Sequence, residues 1–293
     1  MTTQAPEQPS QEALTQPLSL SRTFFNTGMT TLSVVFTVLA LVPLFSVFLY
    51  VTIQGISSLS PQTFTELPAP SGTPGGGFAN AIIGTILMVS IATVISVPVG
   101  VLAGIFLSEY AKDTGFGQTV RFGVNVLAGV PSIITGVFAY AVIVATQKTY
   151  SAYAGGFALA ILMLPIIIRT TEEALRLVPW ELRLASLGLG GNRFQTTARV
   201  IVPAATSSII TGVMLAVARA TGETAPLLFT ALFSQYWISE LSQPTASLAV
   251  LIFNYATSPY NDLQQKAWGA SFLLLVLVLA VNITARFVFR KRF

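Results

Sequence analysis

The sequence predicts an all-α integral membrane protein, a bundle of six transmembrane helices. Three observations lead there. Of 293 residues, 53% are hydrophobic and only 9% charged, with a mean hydropathy of +0.73. A soluble domain carries roughly 25% charged residues, so this composition cannot clothe a water-facing surface. Six apolar stretches, about 31–53, 79–107, 120–145, 154–177, 200–222 and 268–289, each reach the ~20 residues needed to cross roughly 30 Å of hydrocarbon. Finally, the basic residues are segregated between alternate loops, as membrane topology requires.

Taken in order, residues 1–30 are rich in Gln, Ser, Thr and Pro. Such a segment buries too little apolar area to offset its ordering entropy, so a disordered tail is expected. The run from Thr31 to Ile53 is too long for the apolar core of a signal peptide and lacks a basic stretch just before it. It is read as the first span. Residues 54–78 hold Pro61, Pro68, Pro70, Pro74 and the run Gly75-Gly76-Gly77, which predict an irregular loop. The spans that follow carry Gly84, Pro98, Gly129, Pro131, Gly136, Pro165 and Gly212. Inside a membrane bundle these permit close helix approach and local kinks. Residues 223–267 form a second long loop. Its apolar runs 226–233 and 246–253 are too short to cross a bilayer; they read either as re-entrant pieces capping the outer mouth or as amphipathic loop helices.

With the N-terminus inside, Arg22, Lys112, Arg121, Arg169, Arg176, Arg183, Arg193, Arg199, Arg286, Arg290, Lys291 and Arg292 fall on the cytoplasmic side. Only Lys148 and Lys266 fall outside, and Arg219 lies within a span. Both termini are thus expected in the cytoplasm. The net charge of +4 follows from this asymmetry and needs no nucleic-acid partner. The chain has no Cys and no His, which excludes disulfides, zinc–thiolate sites and imidazole acid–base chemistry. It has no Gly-x-x-x-x-Gly-Lys-Ser/Thr run, so it binds no nucleotide by a phosphate loop.

Between the fourth and fifth spans, residues 178–203 are short and Arg-rich. Pro179 can open a helix that continues through Trp180 to Leu187. Gly188, Gly190 and Gly191 end it, and Asn192 to Arg199 leads into Pro203. A short helix, a hinge and a second short helix are predicted, either as a docking element for a partner's groove or as a plain connecting loop.

This loop resembles the one that permease subunits of ABC importers offer to their ATPase. The family pattern runs Glu-Ala-Ala, three residues, Gly, nine residues, then Ile-x-Leu-Pro. Here Leu184, Ala185, Ser186, Gly190, Val200, Val202 and Pro203 stand at matching spacing. Leu184 departs from the usual Glu and Ser186 from the second Ala, so a polar contact through residue 184 is not expected while the packing contact is. The flanks read GGGFANAIIG (75–84), FLSEY (106–110), LAGVPSIITG (127–136), RTTEEALRLVP (169–179), RATGETAPLLF (219–229) and ATSPY (256–260). Together, over about residues 75–290, they resemble the phosphate permeases of the PstA type. A sister permease of the same system shares the VPS and GET signatures, and permeases for other oxyanions such as molybdate or sulfate share the loop.

The resemblance implies a MetI-like fold in a bacterial inner membrane, with residues 31–293 as the permease domain. It implies pairing with a homologous sister permease, two copies of an ATPase that carries the ATP and magnesium, and an extracytoplasmic phosphate-binding protein. No cofactor is expected on this chain and no catalysis by it. Within that frame a charge inside a span is costly and usually functional. Arg219 offers the planar donor fork that suits phosphate. Glu223, one turn on, can neutralise it, and a pair at rest, partly exchanged for substrate, is expected. Gly222, Thr224 and Pro226 suggest that the helix breaks there. Arg169 is either an interface anchor or a second anion contact. Glu172 and Glu173 are expected to pair with Arg176 and Arg169.

Overall fold

A computed structural model describes residues 20–288, apart from 71 and 74. All regular elements among the described residues are helical. By internal contacts the chain divides into two units, 1–51 and 52–293. Helix α1, Leu20–Ser57, starts in the first unit and ends in the second. It begins well before the expected residue 31, so residues 20–30 of the predicted tail are helical, and residues 1–19 lie outside the described part. Its 38 residues reach about 57 Å at ~1.5 Å per residue, nearly twice the hydrocarbon thickness of ~30 Å. Up to Tyr50 every described side chain on it is exposed, most of them apolar. That is the pattern of a span facing lipid.

In the second unit, α2 (Pro61–Thr65) is a single turn in the Pro-rich loop. Helix α3, Ala79–Ile105, ends in a π-wound turn, Phe106–Tyr110. Helix α6, Ala152–Arg176, makes with α3 the most extensive helix pairing in the unit. Met88 meets Gly155, Ser96 meets Met163, Gly100 meets Ile167 and Gly104 meets Thr171. Each pair is separated by the same 67 residues, so the two helices run parallel in one fixed register. The register depends on small residues. A Cβ on Gly100 or Gly104 would lie 2.7 Å from the Ile167 or Thr171 side chain, closer than packed atoms approach. Glycines four apart let two backbones close up in this way. The buried cluster around Met88, Leu159, Met163 and Ile167 is completed by Val213, Ala216 and Val217 of α9, Val202–Thr221.

The third expected span, 120–145, is not one helix. Helix α4 (Gly115–Gly129) and α5 (Ser132–Ala139, prolonged to Gln147 through a π-wound turn) meet at 102°. Pro131 is the cause. It lacks an N–H for the helix ladder and forces the residue before it out of the helical region; Val130 is extended, with φ −71° and ψ 128°. The kink expected from the sequence is therefore a break. Arg121 of α4 bonds near the C-terminal end of α6, and the chain after α5 returns to the N-terminal end of α6. The bent pair thus travels the length of the bundle. With it counted as one, six helical spans among the described residues are long and apolar enough to cross a membrane.

The runs 226–233 and 246–253 are not amphipathic surface helices. Helix α10, Ala225–Thr230, buries Pro226, Leu227 and Thr230. Helix α11, Leu248–Ala256, buries its first four residues completely or nearly so. It is fastened to α3 by the Leu248 N–H, which donates to Thr85 Oγ1 at 2.8 Å. The last helix, α12, Asn261–Val288, packs on α11 and α9.

Candidate functional site

The loop that joins α6 to α9 has the predicted form. Helix α7 spans Trp180–Gly188, with Pro179 as its N-cap rather than its first helical residue. Gly190 follows at φ +85°, a left-handed angle that Gly adopts without the Cβ penalty. Helix α8, Arg193–Thr196, is opened by Asn192, whose Oδ1 accepts from the Gln195 N–H at 2.8 Å while Gln195 Oε1 accepts from the Asn192 N–H at 3.0 Å. This is a capping box. From α8 the chain continues through a π-wound turn, Thr197–Ile201, directly into α9. Residues Arg193–Thr221 are therefore one helical run, and Pro203 sits in its interior rather than at its start.

The loop presents its apolar side chains outward. Leu189 is 91% exposed, and Leu177, Trp180, Leu184, Leu187 and Phe194 are all exposed, as are Ala185, Gly190 and Pro203. Ser186 is not part of that face. Its hydroxyl lies 2.8 Å from Thr196 Oγ1, and its carbonyl accepts from the Gly191 N–H at 3.0 Å, closing α7 against α8. Val200 and Val202 are half-buried at the root of the loop.

Charged side chains hold the loop and the neighbouring helix ends. Glu172 Oε1 accepts from Arg121 Nε at 2.7 Å and from Arg176 Nη2 at 2.6 Å. Arg121 also donates to the carbonyls of Leu107 and Lys112. The expected Glu172–Arg176 pair is present. Arg169 is turned elsewhere, donating to Asn125 Oδ1, and Arg121 of the bent third span takes the second place on Glu172. Glu109, which stood in the sequence only as a letter of a signature, accepts from Arg183 Nη2 at 2.9 Å. Asn80 is similar: its Nδ2 donates to the Ser234 and Tyr236 carbonyls and ties α3 to the loop after α10. Neither role had a signal in the sequence, since both partners lie far away along the chain.

Arg219 stands in the last turn of α9, which ends at Gly222 as predicted. Its Nε is 3.6 Å from Glu223 Oε1; the arginine side chain is 59% exposed and the glutamate 16%. The pair is present but loose, and the guanidinium faces outward from the subunit. Thr224 precedes α10, and its carbonyl accepts from the N–H groups of Leu227 and Leu228. Arg169 is exposed too, beside a cavity of about 320 Å³ bounded by Asn125, Glu172 and Glu173. Gly212 of α9 packs against Thr170, so Arg219 lies seven residues beyond the level of Thr170, the residue after Arg169, about 10 Å along the bundle at ~1.5 Å per residue. The two arginines occupy two levels of the same bundle and do not share one pocket. Among the described residues no cluster of His, Cys, Asp and Glu is placed to hold a metal ion.

A helical bundle of membrane-spanning length with an exposed apolar loop at one end defines the class: a polytopic helical membrane protein. The sequence profile of the binding-protein-dependent transport system inner membrane components matches residues 96–293, and the chain belongs to that family. It is 44% identical over 239 residues to the phosphate transport system permease protein PstA of Yersinia pestis, covering 82% of this chain and 81% of the relative. It is 35% identical over 300 residues to PstA 1 of Mycobacterium tuberculosis, covering 100% and 97%. Among solved structures, the inward-facing MetNI methionine ABC transporter superposes with a TM-score of 0.58 at 21% identity, over 72% of this chain and 92% of that one. A bacterial alginate ABC transporter superposes with a TM-score of 0.62 at 12% identity, over 91% and 94%. These likenesses establish the permease fold.

Proposed function

We propose that this chain is a permease subunit of an ATP-driven inorganic phosphate importer of the bacterial cytoplasmic membrane, with both termini inside. It forms one half of the path, beside a homologous sister permease. Two copies of an ATPase dock below the permease pair and supply the ATP chemistry, and residues 178–203 form this chain's docking element. An extracytoplasmic phosphate-binding protein delivers the substrate. The observation that carries this reading is the similarity to phosphate permeases, 44% identity sustained over 82% of the chain.

The geometry gives the reading a mechanism. The apolar face of α7 and the hinge is suited to burial in a partner's groove. Arg193 at the loop and Arg219 at the far end lie on one helical run, so a push on the loop moves Arg219. A charge at bilayer depth needs a polar environment, which a shared conduit supplies. Glu223 balances Arg219 at rest, and the 3.6 Å separation leaves the guanidinium free to form charge-assisted bonds to an arriving oxyanion. Arg169 offers a second contact about two turns deeper.

The test is uptake of labelled phosphate by the reconstituted complex. Arg219→Ala should lower uptake about 10- to 100-fold, the loss of ~1.5–3 kcal/mol for a bond to a charged group, with subunit assembly intact. Normal uptake would remove Arg219 from the path. Competition by molybdate or sulfate at equal concentration would move the substrate class to those anions.

A further inference from the structure

The end of α3 carries an arrangement that the transport mechanism above does not use. Glu109 lies in the π-wound turn, with a side chain only 10% exposed. Its carboxylate accepts from Arg183 Nη2 at 2.9 Å and from Ser108 Oγ at 3.0 Å. The same Nη2 donates to the Leu175 carbonyl at 3.0 Å, at the end of α6. On the other side, Arg193 donates to the Glu109 carbonyl, and its guanidinium carbon sits 5.1 Å from the centre of the Tyr110 ring, a cation–π distance. Arg183 belongs to α7 and Arg193 to α8, on opposite sides of the Gly190 hinge. One short turn therefore grips both halves of the loop.

Two further features bear on movement. A cavity of about 1100 Å³ lies beside this grip, bounded by Lys112, Trp180, Leu187 and Thr197 among others. The loop thus has room to shift, and it is attached here by charges rather than by close packing. The turn itself is closed by the Ala111 N–H donating to the Phe106 carbonyl at 2.9 Å, five residues back. Such a turn holds one residue more than an α-helical turn, and single π turns occur often at functional sites. It can take up a small displacement that a regular helix end would resist.

We infer, resting on the importer function proposed above, that Glu109 is a positioning residue for energy coupling: its carboxylate holds the first half of the cytoplasmic loop through Arg183 while the main chain of the same turn holds the second through Arg193, so that force applied to the loop reaches α3 as well as α9. Without the clamp the loop still docks on the ATPase, and α6 and α9, which the chain joins to it, still move, but the end of α3 is no longer held to the loop. Hydrolysis then continues while transport falls.

The experiment uses the complete reconstituted complex and reads phosphate uptake and ATP hydrolysis in the same vesicles. Glu109→Gln should assemble and hydrolyse ATP within about twofold of the unaltered complex, while uptake per ATP falls about tenfold; Arg183→Glu, on the docking loop itself, should lower uptake per ATP at least as far. Combining Glu109→Arg with Arg183→Glu should restore the ratio to within about threefold. An unaltered ratio in the single variants, or no recovery in the reversed pair, overturns the clamp. Should the single variants fail to assemble, the natural absence of Cys allows a second measurement. In the Glu109→Cys/Arg183→Cys chain a short thiol cross-linker should raise uptake per ATP above the unlinked form, and no gain overturns the proposal. An unaltered complex that moves no phosphate would overturn the importer function itself; the clamp is read only as a ratio within a transporting complex, so the two failures are distinct.

Discussion

The α3–α6 interface and the loop joining α6 to α9 are two neighbouring regions held by opposite means. At the interface, small residues bring two backbones together, and Met88, Met163 and Ile167 are completely or almost completely buried. In the loop the apolar side chains point outward, and Arg183, Arg193 and Asn192 make the attachments. Lipid does not drive apolar helices together, so an interior contact must come from close packing. In water, exposed apolar area costs roughly 25 cal/mol per Å². Leu189 and Phe194 of the loop nonetheless stay exposed, on the surface that the proposed ATPase docking would cover. The contrast teaches that the interior is finished within the subunit, whereas the loop leaves its apolar face uncovered.

The contrast can be broken most severely at Gly104. Its Cβ would meet Thr171 at 2.7 Å and the Ile168 carbonyl at 2.9 Å, and a backbone atom cannot step aside. Gly104→Leu should exceed the ~1–3 kcal/mol of ordinary overpacking and abolish a detergent-stable subunit, seen as loss of the monodisperse peak in size-exclusion chromatography. A stable variant would mean that α3 and α6 are not in this register.

Leu189→Ser probes the other side. The subunit's own thermal stability should hardly change, because the side chain contacts little. Retention of the ATPase in pull-downs should weaken about tenfold or more, from ~1.5–3 kcal/mol of lost burial for a leucine. Unchanged retention would assign the loop's apolar face to lipid. The smallest effect is expected at Gly190. No atom lies within 4 Å of a Cβ built there, so Gly190→Ala costs only the left-handed backbone, about 1–2 kcal/mol. A local rise in hydrogen exchange over 180–196 should report it; a bulkier residue should in addition uncouple hydrolysis from transport.

The legibility of the molecule follows the same division. The helices facing lipid could be read from the chain, because a bilayer demands long apolar runs whatever their neighbours do. The helix–hinge–helix of the loop could be read from Asn192, Gly190 and the flanking prolines, since caps and left-handed turns are local chemistry. The break at Pro131 was visible as a proline, but its angle was not: a kink and a break differ only in what packs around them.

By itself, then, the sequence determined the number of spans, the loop's secondary structure and the helix end after Arg219, all of which depend on residues within a turn or two of one another. Only the tertiary structure decided that Glu172 takes Arg121 in place of Arg169, that Ser186 turns inward to Thr196, and that Glu109 holds the loop. Those partners are separated by 51, 10 and 74 residues. The physical reason is one of geometry: a carboxylate bonds whichever guanidinium the packing brings within 3 Å, and that choice is made by the parallel register of α3 and α6 and the bend in the third span.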